Sequence, residues 1–349
     1  MGSRNFAAGV ALSLGLLAQA AGAETSLTYG DNGPDRGPSA FAKNWLFSQM
    51  SEHLDIYVEP HWGGALFGAK DSVNAISNGV ADFGFILGAY FPSELVSIQV
   101  ADLPIGNADT WVGLRAMEEF VRTTPEVQER LADQGLVFIA PLTPTAVNLA
   151  CKDVTVEKVE DLEGLKIRAF GAFGKALTDL GANNVSLSIY KAYQGLDSGL
   201  IDCTLGYTYI VKALKWDEQV NSYTILNWGQ PGAQGIFMSK WAFDDLSPED
   251  QEKLLSFGAQ FPEVFGEAVA KAEQAVLDTM AENNVPVSEI TGAEFDKLKV
   301  AAEPYVQEWV ARADRDGLDG EALLEKYRGL IAKYEQERDS QGYPWTRGQ

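Results

Sequence analysis

The sequence predicts an α/β fold with two similar domains and a helical C-terminal section. Short apolar strands alternate with helical segments after residue 24, an order typical of parallel sheets joined by crossover helices. A nine-residue pattern at 75–83 recurs at 195–203, which indicates a duplicated unit. From residue 247 onward the pattern is helical almost to the end of the chain.

The first domain opens with five elements in alternating order. Aromatic and β-branched residues predict the strands, and apolar residues at helical spacing predict the helices. Pro60 ends the pairing of one strand, and Gly79 stops one helix. The predicted strands are 27–29, 55–60 and 82–86, and the predicted helices are 39–51 and 71–78.

The two copies of the repeat read AISNGVADF and GLDSGLIDC. In each copy a helix ends at a glycine, Gly79 or Gly199, that suits a left-handed turn. An aspartate, Asp82 or Asp202, then leads into the next strand, where its carboxylate can accept hydrogen bonds from strand-end amides. The alternative is a coincidence between two common helix–glycine–strand turns.

In residues 165–170, apolar side chains alternate with larger or charged ones, which predicts a strand of the second domain. One half of the alternation is apolar and would face a core. The other half, Lys166, Arg168 and Phe170, would face a cleft or water. Arg168 then either pairs with a nearby acid or is aimed at a ligand, since its planar fork suits a carboxylate. The alternation alone leaves both open.

A long helix is predicted from Ser247, a good N-cap residue followed by Pro248 at the first helical position, to about residue 283. Pro262 and Gly266 lie inside it and predict a kink or a break between two helices. Further helices are predicted from residue 291 and over 319–335.

The chain has 349 residues, long enough for two domains with their own cores, and a net charge of −22. Such acidity argues against a nucleic-acid partner, because the phosphate backbone would be repelled. It also fails to attract small anions from a distance, so an anionic ligand needs a local cation.

Residues 1–23 have the form of a secretory signal peptide. Arg4 supplies the positive charge, an apolar run covers 6–17, and small residues occupy 21–23. We expect cleavage after Ala23 and export. A membrane anchor is the less favoured alternative, because the run is too short for about 30 Å of hydrocarbon.

Residues typical of catalytic sites are scarce. The two histidines, His53 and His61, lack a third metal ligand at a recognisable spacing, so we expect no metal site. Cys151 and Cys203 are an even count in an exported chain and predict one disulfide, with two separate buried thiols as the alternative. Pairing would remove both as nucleophiles.

Aromatic residues follow the predicted strand ends of the second domain. Phe170 shares a strand face with Arg168, and Tyr207 follows the strand of the second repeat. Trp228 follows another predicted strand, 223–226. Because the C-terminal ends of parallel strands line one edge of a sheet, these side chains can line a ligand crevice. Each of them alone is equally consistent with a core or surface position.

Several motifs resemble those of solute-binding proteins of tripartite ATP-independent periplasmic (TRAP) transporters. EDLEGLKIR at 160–168 resembles the E-D-L-x-G-L-K-I-R segment of that family. Further similar motifs occur in the family's order along essentially the whole mature chain: 63–68, 180–183, 193–202 and 241–248.

The resemblance implies a periplasmic receptor with no enzymatic activity and no cofactor. Its fold would be the two-domain clamshell of periplasmic binding proteins, with hinge strands and a long helix crossing both domains. Domain I would comprise 24–146 plus 234–273, and domain II 147–233 plus 274–349. The family binds small organic carboxylates in the interdomain cleft and delivers them to TRAP membrane subunits. We expect a monomer.

The resemblance also assigns Arg168 to a bidentate pair with the ligand carboxylate. Two frequent family residues are replaced here: Gly206 stands in place of an asparagine, and Asn148 lies about where a second arginine is often found. Asn148 would then contribute a neutral hydrogen bond. These replacements lead us to expect a monocarboxylate with an apolar or aromatic body.

Aromatic residues would enclose that body: Phe170, Tyr207 and Trp228 from the second domain, and Tyr90 and Phe67 from the first. Two alternatives stay open at this point. One is an exported α/β enzyme acting on a carboxylate, and the other is a receptor that feeds a sensor.

Overall fold

The computed structural model describes residues 25–347, so the predicted signal peptide lies outside the described residues. Within this range the strands form two sheets. The strands are β1 (Thr25–Gly30), β2 (Ile56–His61), β3 (Phe83–Leu87), β4 (Leu136–Pro141), β5 (Asn148–Cys151), β6 (Lys166–Arg168), β7 (Asn183–Val185), β8 (Cys203–Gly206), β9 (Ser222–Ile225), β10 (Gln234–Ser239) and β11 (Val287–Glu289).

Helices cover both sheets and dominate the C-terminal third. They are α1 (Gly37–Leu54), α2 (Ser72–Ser77), α3 (Thr110–Arg122), α4 (Pro125–Asp133), α5 (Gly171–Asp179), α6 (Ala192–Asp197), α7 (Ile210–Ala213), α8 (Lys240–Asp244), α9 (Pro248–Glu282), α10 (Gly292–Arg315) and α11 (Gly320–Gln341). No helix in residues 25–347 is both long and apolar enough to cross a membrane.

The two sheets repeat one topology. The first has the order β2–β1–β3–β10–β4, and the second has β7–β6–β8–β5–β9 with β11 at its edge. In each sheet one strand arrives from the other half of the chain and runs antiparallel to all the others: β10 in the first and β5 in the second. The chain therefore crosses between the sheets at 142–147 and at 226–233. This is the predicted two-sheet binding-protein fold.

The two copies of the repeat make the same hydrogen bonds. The Asp82 carboxylate accepts from the amide of Thr28 (2.6 Å), and the Asp82 amide donates to the Thr28 carbonyl (2.9 Å). Asp202 makes the same pair of contacts with Lys166, both at 2.8 Å. The predicted role of these aspartates at strand ends is confirmed.

Helix α9 runs unbroken for 35 residues, so of the two predicted outcomes, a kink or a break, the break is wrong. Packing explains the continuity. At Gly258 an added Cβ would lie 1.8 Å from the carbonyl oxygen of Ile139, so the helix backbone sits directly on β4. Arg115 donates to the Ala259 carbonyl in the turn that Pro262 weakens (3.1 Å). These contacts stabilise the helix where Pro262 removes one of its backbone hydrogen bonds.

Two helices connect the halves of the molecule. The Phe265 ring of α9 packs against Tyr209 of the second half at 6.1 Å, while α9 also packs along α1 and β4 of the first. Helix α10 contributes Leu298 to the core of the second sheet and Trp309 to that of the first. The predicted long crossing helix is confirmed as α9, and α10 adds a second. The predicted domain boundaries stay a prediction.

The predicted disulfide between Cys151 and Cys203 is confirmed. The two residues face each other across β5 and β8, with Cα atoms 4.1 Å apart. The bond therefore joins the strand that enters from the first half to the centre of the second sheet.

Candidate functional site

Arg168 is the last residue of β6, at the edge where the parallel strands of the second sheet end. It is 1% exposed, so it faces neither water nor an open cleft. Its guanidinium donates from Nε to the Leu187 carbonyl (3.0 Å) and from Nη1 to the Leu205 carbonyl (2.9 Å). Both carbonyls lie at or just beyond the ends of neighbouring strands, so the local fold fixes the plane of the fork.

No carboxylate of residues 25–347 forms an ion pair with Arg168. The expected alternative, pairing with one of the many nearby acids, is therefore absent from this part of the chain. The guanidinium has five N–H groups, of which three are used by carbonyl and hydroxyl acceptors. A buried cation without a counter-charge is costly, and an anionic ligand would relieve that cost.

Tyr90 brings the first half of the molecule to this cation. It lies in a short 3₁₀ turn, Gly88–Tyr90, directly after β3. Its hydroxyl oxygen accepts from Nη2 of Arg168 (3.1 Å) and from the amide of Ile189 (2.9 Å). Because the oxygen accepts both of these, its own O–H is left to donate. Tyr90 and Arg168 thus present donors side by side where the two halves meet.

Aromatic rings surround the guanidinium. The Arg168 carbon Cζ lies 5.3 Å from the centre of the Phe170 ring, within the range of a cation–π contact. Tyr207 is buried and packs on Tyr209, with ring centres 5.0 Å apart. Burial, followed by the nearby Tyr90 phenol, raises the pKa of Tyr207 well above its usual range. The Tyr207 phenol is therefore neutral at physiological pH.

The remaining predicted residues lie further from the guanidinium's polar contacts. Asn148 uses its carbonyl oxygen to accept from the amides of Leu226 (2.8 Å) and Asn227 (3.1 Å), at the start of the second crossing segment. Trp228 is fully buried and packs on Phe173, which in turn packs on Phe170. Their roles as ligand contacts stay predictions.

Phe67, the other first-domain candidate, is also buried. A Cβ added to Gly30 would lie 2.3 Å from its ring. Phe67 therefore occupies the space above the end of β1, on the first sheet, and its predicted contact with a ligand is untested.

Sequence reasoning missed a buried ion pair on the first sheet. Asp31 follows β1 and accepts from Lys43 Nζ (2.6 Å), from the Tyr29 hydroxyl (2.7 Å) and from the Gly33 amide (2.7 Å). The position of Asp31 directly after a strand end was the available signal. Lys43 lies twelve residues away on α1, and no pattern linked the two.

The described residues contain no group of three or more His, Cys, Asp or Glu side chains arranged to hold a metal ion. The site offers cation, phenol and backbone groups instead. Such an arrangement binds and orients an anion, and it presents no nucleophile next to a base.

Comparison with known proteins agrees with this geometry. Residues 40–313 match the family model described as bacterial extracellular solute-binding protein, family 7. The 2,3-diketo-L-gulonate-binding periplasmic protein of Escherichia coli is 30% identical over 221 residues, which cover 63% of this chain and 66% of that protein. The match thus spans just under two thirds of that relative.

Solved structures share the fold over nearly their whole length. A marine metagenome TRAP solute-binding protein specific for aromatic acids, crystallised with 3-hydroxybenzoate, has a TM-score of 0.79 and 23% identity, over 89% of this chain and 99% of that one. A TRAP solute-binding protein from Rhodoferax ferrireducens with copurified benzoate has a TM-score of 0.77 and 21% identity, over 90% and 99%.

The family model covers most of the chain, and the two-sheet fold and its crossing helices agree with it. The family consists of binding proteins without enzymatic activity, so the enzyme alternative is set aside. The chain belongs to family 7 of the bacterial extracellular solute-binding proteins, and its fold is that of TRAP solute-binding proteins.

Proposed function

We propose that this receptor binds a small carboxylate with an apolar or aromatic body between its two sheets and delivers it to TRAP membrane subunits. The observation that carries the proposal is Arg168: a buried cation with no anionic partner in residues 25–347, held in a fixed plane by two carbonyls. The ligand carboxylate would supply the missing charge.

The groups around Arg168 favour an aromatic body. Phe170 covers one side of the guanidinium, and Tyr90 and Tyr207 border the same space. Rings of this kind pack well against a flat aromatic body. Benzoate and 3-hydroxybenzoate, held by the two structural relatives, have such a body. The sugar-acid ligand named for the E. coli relative is the competing class.

Entry of the ligand requires the halves to separate. Tyr90 now bonds both Arg168 and the Ile189 amide across the junction. We infer that bending at the two crossing segments, 142–147 and 226–233, opens this contact, and that the ligand carboxylate replaces part of it on closure.

A thermal-shift screen on protein refolded from denaturant tests the proposal. The panel contains benzoate, 3-hydroxybenzoate, a sugar acid, and benzamide as the uncharged match of benzoate. At 100 times its Kd a ligand stabilises the protein by about 2.7 kcal/mol, which a melting curve resolves. We expect shifts with the aromatic carboxylates and none with benzamide. Shifts with the sugar acid alone would contradict the aromatic body, and no shift with any carboxylate would contradict the function.

The proposal extends to export and assembly. We propose cleavage after Ala23, a monomeric receptor, and domain boundaries at 146/147, 233/234 and 273/274. N-terminal sequencing of the exported protein and light scattering during gel filtration check the first two. A different mature N-terminus or a dimer mass would contradict them.

A further inference from the structure

A cavity of about 340 Å³ lies beside the Arg168 site, a volume suited to part of a small ligand. Ala89, the neighbour of Tyr90 in the chain, lines one wall, and Gly171, the neighbour of Phe170, lines another. The cavity therefore begins one residue beyond each of the two side chains that flank the Arg168 guanidinium. From there it extends to helix α10.

Helix α10 supplies the third wall, and with it a second cation. Arg312 donates from Nη2 to the Gln99 side chain (3.0 Å), and its Nε is buried without a hydrogen-bond partner. Within residues 25–347 Arg312 forms no ion pair. By contrast, Lys175, which lines the cavity from helix α5, is neutralised by Glu308 at 2.6 Å. Arg312 is thus a partly buried charge that the described protein leaves unneutralised.

The other groups around the cavity do not cancel this charge. Glu308, one turn before Arg312 on α10, attracts its charge but makes its ion pair with Lys175. One carboxylate oxygen of Asp102 accepts a hydrogen bond from the Ala233 amide (2.8 Å). Burial raises the pKa of Asp102 to about 7, so this side chain carries less than a full charge at neutral pH. The start of helix α5, which lacks a side-chain cap, lies on the opposite wall and adds partial positive charge.

We propose that this cavity is a second subsite, in which Arg312 binds an anionic group at the far end of the ligand. The inference rests on the proposed function, because it places the near carboxylate on Arg168. The ligand class becomes an aromatic acid with two acidic groups, one at each end. This differs from the monocarboxylate expected from the sequence, where Arg168 was the one cation that could be placed.

The test uses matched ligand pairs that differ in one group. Each pair has a para-methyl and a para-carboxyl member: 4-methylbenzoate with terephthalate, and the corresponding phenylacetates and phenylpropionates. Titration calorimetry measures both members with the wild type and with Arg312→Met. For the pair of fitting length we expect the wild type to bind the para-carboxyl member about tenfold or more tightly. Arg312→Met should abolish that preference and leave binding of the para-methyl member unchanged.

A control variant and three outcomes make the test decisive. Lys175→Met/Glu308→Gln removes a cation of the same cavity together with the acid that neutralises it, so it should keep the preference. If Arg312→Met weakens both members of a pair equally, Arg312 only positions Gln99 and the adjoining Gly88–Tyr90 turn, and the subsite is refuted. A wild type that favours the para-methyl member at every length also refutes it. If no carboxylate binds at all, the proposed function itself has failed.

Discussion

Two buried cations, Lys43 beside the first sheet and Arg168 on the second, have opposite kinds of partner. Lys43 is 2% exposed and lies 2.6 Å from the carboxylate of Asp31, which three donors fully satisfy. Arg168 is 1% exposed and contacts only neutral acceptors in residues 25–347. Asp31 neutralises the Lys43 charge inside the fold, whereas the Arg168 charge is left for a bound ligand to neutralise. Burial alone therefore does not distinguish a structural cation from a binding cation, but the partner does.

The duplicated topology makes the comparison position by position. Gly30 pairs with Gly84 at the end of β1, and Arg168 pairs with Thr204 at the equivalent place on β6. At Gly30 the missing side chain leaves room for the Phe67 ring. The same frame thus carries packing in one half and a binding group in the other. The duplicated fold gives both sheets the same edge of strand ends. The residue at each position then decides whether that edge packs against a ring or binds a ligand.

The largest effect on stability is expected at the neutralised pair. Asp31→Asn would leave Lys43 buried without a counter-charge, which costs about 3–5 kcal/mol. Urea unfolding followed by circular dichroism measures the loss. The double variant Asp31→Asn/Lys43→Met is the control, and it should recover most of the loss because the buried charge is gone. A single variant as stable as the wild type would show that the pair does not stabilise the first half.

The second sheet depends on its disulfide in a way that the first does not. Its strands have three or four residues, against five or six in the first sheet. The bond closes a sequence separation of 52 residues, worth about 4 kcal/mol on the chain-entropy model. Cys151→Ala/Cys203→Ala should therefore lose about 2–4 kcal/mol in the same urea assay. A loss below about 1 kcal/mol would show that packing alone holds the short strands.

Asp102 extends the comparison to an acid without a cation. Burial raises its pKa from 3.8 to about 7, against the opposing hydrogen bond from Ala233. The folded protein therefore holds this proton more tightly than the unfolded chain does. Stability should fall as the pH rises from about 4 to about 7 and then level off, by this group's contribution.

Asp102→Asn removes this titration and keeps an acceptor for the Ala233 amide. Because Asp102 is partly exposed, we expect an effect on the order of 1–2 kcal/mol, smaller than the two above. The variant should gain stability over the wild type at pH 8 and show no gain at pH 4, measured by urea unfolding at both. An equal difference at the two pH values would contradict the assignment.

Local features of the sequence predicted much of the fold. Strand–helix order and the turns of the repeat are visible within short segments, and two cysteines in the chain allow only one pairing. The aspartate bonds at Asp82 and Asp202 and the Cys151–Cys203 bridge followed from them. The continuity of α9 did not, because Pro262 is tolerated only through contacts with Arg115 and β4 that are distant in sequence.

The site was predicted only in part for the same reason. Arg168 and Tyr90 were identified singly, but their contact joins residues 78 apart in the chain. Lys43 and Arg312 reach the junction from helices whose sequences give no sign of it. Arg168, predicted to face a cleft or water, also proved buried, and its guanidinium donates to the carbonyls of Leu187 and Leu205. Residues that only tertiary packing brings together have no recognisable spacing in the sequence.

The most direct test of the contrast between the two cations is calorimetric titration of Arg168→Met with the carboxylate that stabilises the wild type most. We expect Kd to rise at least about 30-fold, equivalent to 2 kcal/mol or more, because the ligand charge is left without a partner. The free energy of unfolding, measured in urea, should fall by no more than about 1–2 kcal/mol, well below the loss expected for Asp31→Asn. Binding within a few-fold of the wild type would contradict the claim that Arg168 is the cation held ready for the ligand.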